Sequence, residues 1–370
     1  MSQGSLAELR LLGSIALIGL GLAAAPAGST TRREVAFARL FPSASGIVGI
    51  YDVVGCGADC KSYKPHLFRA DGSRRWREIS PRGLLFQLED VGFVTRRTGW
   101  LVANDCTAAK AFVYRTTDGG STWRAARITP CNCAAGSRIA LSFADANHVW
   151  SLTTYVNAPG SVLERSSDGG KTWRRVAVDL PVFGAITFAT PRDGWLSRVG
   201  VAGAFYVTHD GGRSWRRLTL AAPHGWRGAK LYPDVPAFFG KRGVWPVGMV
   251  RGRYATVAFY VTSDGGGTWR PRALHAVQSI RVGAFGSYVP ASVVNPSVWW
   301  LATGRRHHAV ALTTDSGTTW HEAVLPRAAR AGGFELSAGS ARRAWVTVRN
   351  VVYATSDSGR TWQRLALPRG

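Results

Sequence analysis

Four carboxylates, Glu34, Glu89, Asp90 and Glu335, are the side chains whose type and setting first raise the question of chemistry. Two carboxylates facing each other across a cleft can act as general acid and base, or as acid and nucleophile, in glycosidic cleavage. The competing reading, ion pairing with the many arginines, is preferred. Five cysteines form the second group: Cys56, Cys60, Cys106, Cys131 and Cys133. Their spacing, "CGADC" and "CNC", matches no standard zinc pattern. In an exported chain disulfides are the default, and an odd count leaves one thiol over. A thiolate metal site and free thiols are the alternatives. Serine- or cysteine-nucleophile motifs and phosphate-cradling glycine loops are absent, and neither a cofactor nor a metal is expected.

The elements that would have to position these groups are set by a repeat. The octet "TSDGGGTW" (262–269) has close copies at 116–123, 166–173, 208–215, 313–320 and 355–362, with a worn copy, "RADGSRRW", at 69–76. The recurring positions are Asp71, Asp118, Asp168, Asp210, Asp264, Asp315 and Asp357, with Trp76, Trp123, Trp173, Trp215, Trp269, Trp320 and Trp362. Copies recur every 42 to 54 residues, the length of one four-stranded propeller blade. From the second copy on, an apolar strand with a Trp precedes each octet: Trp100, Trp150, Trp195, Trp245, Trp299–Trp300 and Trp345.

A cofactor fingerprint occurs once per domain, whereas a turn recurs with its supersecondary unit. The octet reads as a turn: Asp accepts hydrogen bonds from backbone N–H groups a few residues on, and Gly permits positive φ. Seven copies around a ring cannot converge on one substrate. The expected fold is all-β, a seven-bladed propeller of four-stranded antiparallel blades. It runs over residues 28–370 as a single domain, with Glu34–Phe41 as its first strand and residues 361–367 as its last. Neither terminus has a spare strand, so ring closure would rest on packing the seventh blade against the first. Alternation of strands sends the loops between second and third strands, and the connections between blades, to one face. Octets and the turns between first and second strands go to the other. The cysteines then share the loop face, where Cys106 bonded to Cys131 or Cys133 would tie a second strand to the end of its own blade.

The octet and its spacing resemble the Asp-box (BNR) repeat. The form "GW" strand then "T-x-DGG-x-TW" is most similar to bacterial propellers related to the photosystem II stability/assembly factor, and more distantly to sialidase and sortilin-type propellers. That resemblance implies a partner-binding propeller in which an arginine-rich patch meets a client during assembly of an envelope complex. It also implies, as an alternative, a sialidase-like glycoside hydrolase, although no "RIP" motif precedes the first box. At about 49 residues per unit the blades leave little chain for loops that enclose a substrate.

Charge narrows the surface. The chain carries 46 basic and 22 acidic residues, a formal net charge of +24, which favours anionic surfaces and polymers. Arginine is spread widely, including pairs just after the octet Trp, which read as solvated surface. A local excess sits on the loop face of units five to seven: Arg227, Lys230, Arg251, Arg253, Arg305, Arg306, His307, His308, Arg327 and Arg330, with Trp226 among them. Trp226 is the one Trp outside the repeat, and an aromatic beside arginine is a common recognition hot spot. The expected partner is an envelope protein complex or an anionic surface polymer, such as an acidic glycan or cell-wall polymer, with peripheral membrane association open and no sequence-specific nucleic acid. A monomer is expected. The start, Arg10 followed by the apolar run Leu11–Ala25 and "APA" at Ala25–Ala27, reads as a signal peptide over 1–27 or an uncleaved anchor. Either places the remainder outside the cytoplasm.

Overall fold

The computed structural model describes residues 34–41, 47–53, 63–70, 76–85, 87–105, 108–129, 137–155, 160–180, 184–198, 201–277, 281–283, 286–289, 291–303, 309–327, 334–348 and 351–366. The signal or anchor over 1–27, all five cysteines, Asp71, Arg305, Arg306, His307, His308 and Arg330 lie outside the described residues. None of the described helices is long and apolar enough to cross a membrane.

Strands follow one another as antiparallel neighbours within each sheet. Six of the seven sequence units fold as four-stranded blades. In the second, Gln87–Phe93, Gly99–Asp105, Lys110–Thr116 and Arg124–Arg127 run from the inside of the disc to its rim. From blade two on, the second strand is sandwiched on both faces and reads as an apolar run. Trp100, Leu101, Val102 and Ala103 are completely buried. The outer strands carry charged residues, mostly arginines, and are largely exposed, as suits an edge that must not pair with another chain.

The fifth unit corrects the expectation of seven four-stranded blades. It is a five-stranded sheet: Lys230–Pro233 and Ala237–Phe239 both pair with the long strand Arg242–Arg251, followed by Tyr254–Thr262 and Arg270–Val277. Two prolines, Pro233 and Pro236, flank the break; proline has no N–H to give a ladder, so the innermost strand splits there. Two smaller differences follow. A two-stranded ribbon, Arg281–Gly283 with Gly286–Tyr288, occupies the connection after this sheet. The last outer strand is reduced to Gln363–Arg364.

The disc closes as face packing predicts. Innermost strands of blades one, two, three and six lie against their successors, and the first strand also lies against the seventh blade's two inner strands. Trp123 Nε1 donates to the Ile79 carbonyl at the end of blade one, 2.7 Å. Trp76 Nε1 donates likewise to the Ala366 carbonyl at the end of blade seven, 3.1 Å. One contact type thus runs across the seam.

Each of the six described octets is a tight hydrogen-bonded turn. At Asp118 one carboxylate oxygen accepts from the Thr122 N–H (2.9 Å) and the Thr116 hydroxyl (2.8 Å), and the other from the Thr122 hydroxyl (2.6 Å). Thr116 Oγ1 in turn accepts from the Gly120 N–H, 2.8 Å. The pattern repeats at Asp168, Asp210, Asp264, Asp315 and Asp357. Bonds to the charged form hold all six carboxyls below their usual range. Thr319 and Thr361, hydroxyl first and N–H second, hold Asp315 and Asp357 down to about 2. The octet sits on the same face as the first turn of its own blade, because Gly119 N–H donates to the Arg97 carbonyl and Gly169 N–H to that of Asn147. Outer strands begin one residue after the octet Trp in units two to seven, so that Trp belongs to the turn, where the expected last strand 361–367 had included Trp362.

Candidate functional site

The unit-five sheet departs from the others on the loop face. Its hairpin strands have 10 and 9 residues, against five to seven for second strands elsewhere among the described units. The extra length extends the hairpin at its loop-face end. The tip is a two-residue turn, Gly252–Arg253, flanked by the paired residues Arg251 and Tyr254. Gly252 has φ +58°, a left-handed value that glycine adopts without a steric penalty.

The arginine–tryptophan cluster divides into a tied half and a free half. Arg251 Nη1 donates to the Gly225 carbonyl at 2.6 Å, and its guanidinium lies 5.4 Å from the Trp226 ring centroid. Trp226 is half-buried on the cluster of Leu220, Trp245, Val247 and Met249. Its backbone closes two successive turns, with Pro223 and with Ala229. Tyr260 donates its hydroxyl proton to the Ala221 carbonyl at 2.7 Å, and burial pushes its pKa up to about 12. These contacts pin the 219–229 connection against the hairpin base.

Arg251 is exposed but tied; the other half is exposed and lacks such a tie to the connection. Arg227, Lys230 and Arg253 are exposed. Tyr254 keeps 57% of its surface and lies under the Arg253 guanidinium, 5.3 Å from ring centroid to Cζ, with a 3.2 Å hydrogen bond from Arg253 to its hydroxyl. Lys230 lies not in a loop but in the first strand of the sheet, paired with Val250 beside Arg251. No acidic residue occurs within 221–230 or 249–256, so the corner carries an uncompensated positive field. Tyr254 was missed in the sequence reading; the signal was the alternation through "YATVAFYVT" starting straight after a two-residue turn, which puts Tyr254 at the tip. Arg327 is exposed at the exit of the His321–Val324 strand, in another blade.

The carboxylates considered for catalysis occupy inner strands but in unlike settings. Glu89 is buried and accepts a 2.6 Å bond from Asn104 Nδ2. Asp90 sits at a register shift; its two oxygens accept the N–H groups of Val91 (2.8 Å) and of Leu141 in the next blade (2.9 Å). Asp90 therefore pins two blades together. Glu335 is exposed on the first strand of blade seven. Glu34 opens the first strand of the disc, and its side chain is outside the described set. A fifth acid, Asp234, lies at the break in the unit-five inner strand. It keeps some exposed surface, yet desolvation pushes its carboxyl up to about 6 against the lowering effect of the Val235 N–H.

Residues 70–222 match the family model described as photosynthesis system II assembly factor YCF48. No curated protein sequence matches the chain. Among solved structures, the chain is similar to YCF48 bound to a D1 peptide, with 20% identity over 75% of this chain and 82% of that one, TM-score 0.48. It is similar to the GH74 xyloglucanase of Xanthomonas campestris, with 18% identity over 90% of this chain and 54% of that one, TM-score 0.57. It is also similar to the uncharacterized protein lmo1340 of Listeria monocytogenes, with 9% identity over 91% and 97%, TM-score 0.56. The chain is thus a propeller with BNR-type repeats, and the low-identity likenesses speak to that fold alone.

Proposed function

We propose that this BNR-type propeller is a non-catalytic, exported binding protein that holds a protein partner and helps assemble or stabilise an envelope complex. The five-stranded sheet of unit five would complete a ring of seven sectors over residues 28–370, with Asp-box turns as its architectural joints. The family-model match supports an assembly role. The observation that carries the site is the free half of the loop-face corner: Arg227, Lys230, Arg253 and Tyr254 stand exposed on a hairpin whose base Arg251 and Trp226 lock. A rigid base lowers the entropy lost on docking, and an aromatic beside arginine is a usual anchor. Arg305, Arg306, His307, His308, Arg327 and Arg330 would extend the basic surface.

The test places a photo-crosslinking amino acid at Tyr254 and, as a control, at the exposed rim residue Val324, in cells that make the protein. One defined adduct with an envelope protein is expected at Tyr254 only, absent from the R227A/K230A/R253A variant. Equal adducts at both positions would defeat the assignment of the corner. Turnover of a fluorogenic sialoside or β-glucoside, abolished by Glu34→Gln or Glu335→Gln, would replace the whole reading with a glycoside hydrolase.

A further inference from the structure

The rim of the disc carries a feature the loop-face reading does not use. Arg124 and Arg127 in blade two, Arg174 and Arg175 in blade three, and Arg216 and Arg217 in blade four all lie on outermost strands, and all are exposed. Arg77 and Arg272 bridge gaps between blades: Arg77 reaches Ser121 Oγ at 3.0 Å, and Arg272 reaches Thr318 Oγ1 at 3.3 Å. Among the described residues, none of these arginines lies within 4.0 Å of a carboxylate. The belt continues from unit one to unit five and stops at blade six, where His321 and Glu322 occupy the outer strand.

Edge protection alone asks for a charge on each outer strand. It does not ask for nine arginines against two acids, Glu78 and Asp179, over five successive outer strands, with Glu78 engaged by His66. A plane touches a disc's rim along one narrow sector, so a flat bilayer cannot engage the belt, whereas a flexible chain can follow it. Arginine's planar fork pairs with phosphate oxygens in two parallel bonds, which a lysine ammonium cannot do. Single-stranded nucleic acid would want aromatic platforms for its bases, yet the large apolar residues exposed on outer strands are the aliphatic Leu274 and Val324. We infer that the arginine belt of units one to five is a binding track for a flexible, base-free polymer of phosphate groups, separate from the loop-face corner.

End-labelled inorganic polyphosphate is titrated into the full chain at a series of salt concentrations. The test variant is R124Q/R127Q/R174Q/R270Q, with Arg270 exposed at the start of unit five's outer strand; none of the four makes a side-chain hydrogen bond among the described residues, and R227Q/K230Q/R253Q probes the corner. Each phosphate contact contributes about 0.7 to the slope of log affinity against log salt for a single flexible chain. The rim variant should therefore lose about two to three from that slope and about tenfold or more in affinity, while the corner variant binds like the parent. The milder R124Q/R174Q serves if four substitutions impair folding, with about half the slope change expected. Parent-like binding by either folded rim variant overturns the inference. So does equal loss in the corner variant, or equally tight binding of oligothymidylate, of polyglutamate, or of phosphatidylglycerol vesicles.

Discussion

The joints on either side of blade three and the joint between blade four and the unit-five sheet use the same octet and hold it differently. At the first two, the buried indoles donate to octet carbonyls: Trp100 to Gly169 (2.8 Å) and Trp150 to Gly211 (3.1 Å). Their rings stack on Phe143 and Phe188 of the next inner strand. An arginine from the third strand, Arg115 or Arg165, lies under the first octet glycine. At the third joint Val207 replaces the arginine, Gly265 meets nothing within 4 Å, and Trp195 turns its benzo edge toward Gly266. Neither Trp195 Nε1 nor Trp269 Nε1 has a partner among the described residues. Aromatic packing fills the gap: Trp195, Phe238, Trp269 and Trp245 form one group with centroid separations of 4.4 to 6.4 Å. A repeat can thus conserve its turn while exchanging a polar lock for an aromatic one. The aromatic joint is the one beside the split strand and the extended hairpin.

The strongest test of this contrast removes the rings. Trp150→Ala and Trp195→Ala should each cost about 3–5 kcal/mol in urea unfolding, as for other buried tryptophans. Phenylalanine at the same positions separates the two locks. Trp150→Phe should cost about 1 kcal/mol more than Trp195→Phe, because only the former loses a hydrogen bond and orphans a buried carbonyl. Equal costs would erase the distinction.

Next come the glycines. Gly265→Ala should cost about 1–2 kcal/mol from left-handed backbone strain alone. Gly266→Ala should exceed it by about 1–3 kcal/mol, since a Cβ there would stand 2.3 Å from a Trp195 ring carbon. Arg165→Met, which removes a guanidinium 5.1 Å from the Trp150 ring, should cost about 0.5–2 kcal/mol, read from the shift in denaturation midpoint.

The smallest effect is in pH dependence and runs in opposite directions. Octet carboxyls have depressed pKa values, so their contribution is present above the unfolded value of about 3.8 and falls away toward pH 2. Asp234 is raised to about 6, so its ionisation works against the fold as pH rises through that value. Asp234→Asn, which keeps an acceptor for the Val235 N–H, should raise the denaturation midpoint at about pH 8 and leave it unchanged at about pH 4. A fall at pH 8 would mean that the charged carboxylate has a stabilising partner.

Much of the fold was readable because the octet bonds within itself. Thr116, Asp118, Gly120 and Thr122 are letters two to four apart, and their hydrogen bonds follow from local geometry. The apolar second strands were equally plain, being buried on both faces. Less visible was the fifth unit: its prolines were in view, but a split inner strand beside a long hairpin needs the pairing register to be seen. The candidate surface was half legible. Arg251 and Trp226 fell within one cluster of the sequence, yet nothing in their spacing told that they tie each other down and leave Arg253 and Tyr254 at the exposed hairpin tip.

Taken by itself, the sequence determined the blade repeat, the turn chemistry and the basic balance, since each is written in residues adjacent along the chain or in composition. Only the tertiary structure decided which joint receives an arginine and which an aromatic group, where the ring seals, and which charges line the rim unpaired. Those outcomes depend on partners far apart in sequence, 69 residues from Trp100 to Gly169 and 290 from Trp76 to Ala366. Burial and hydrogen bonding between such distant groups exist only once the disc has closed.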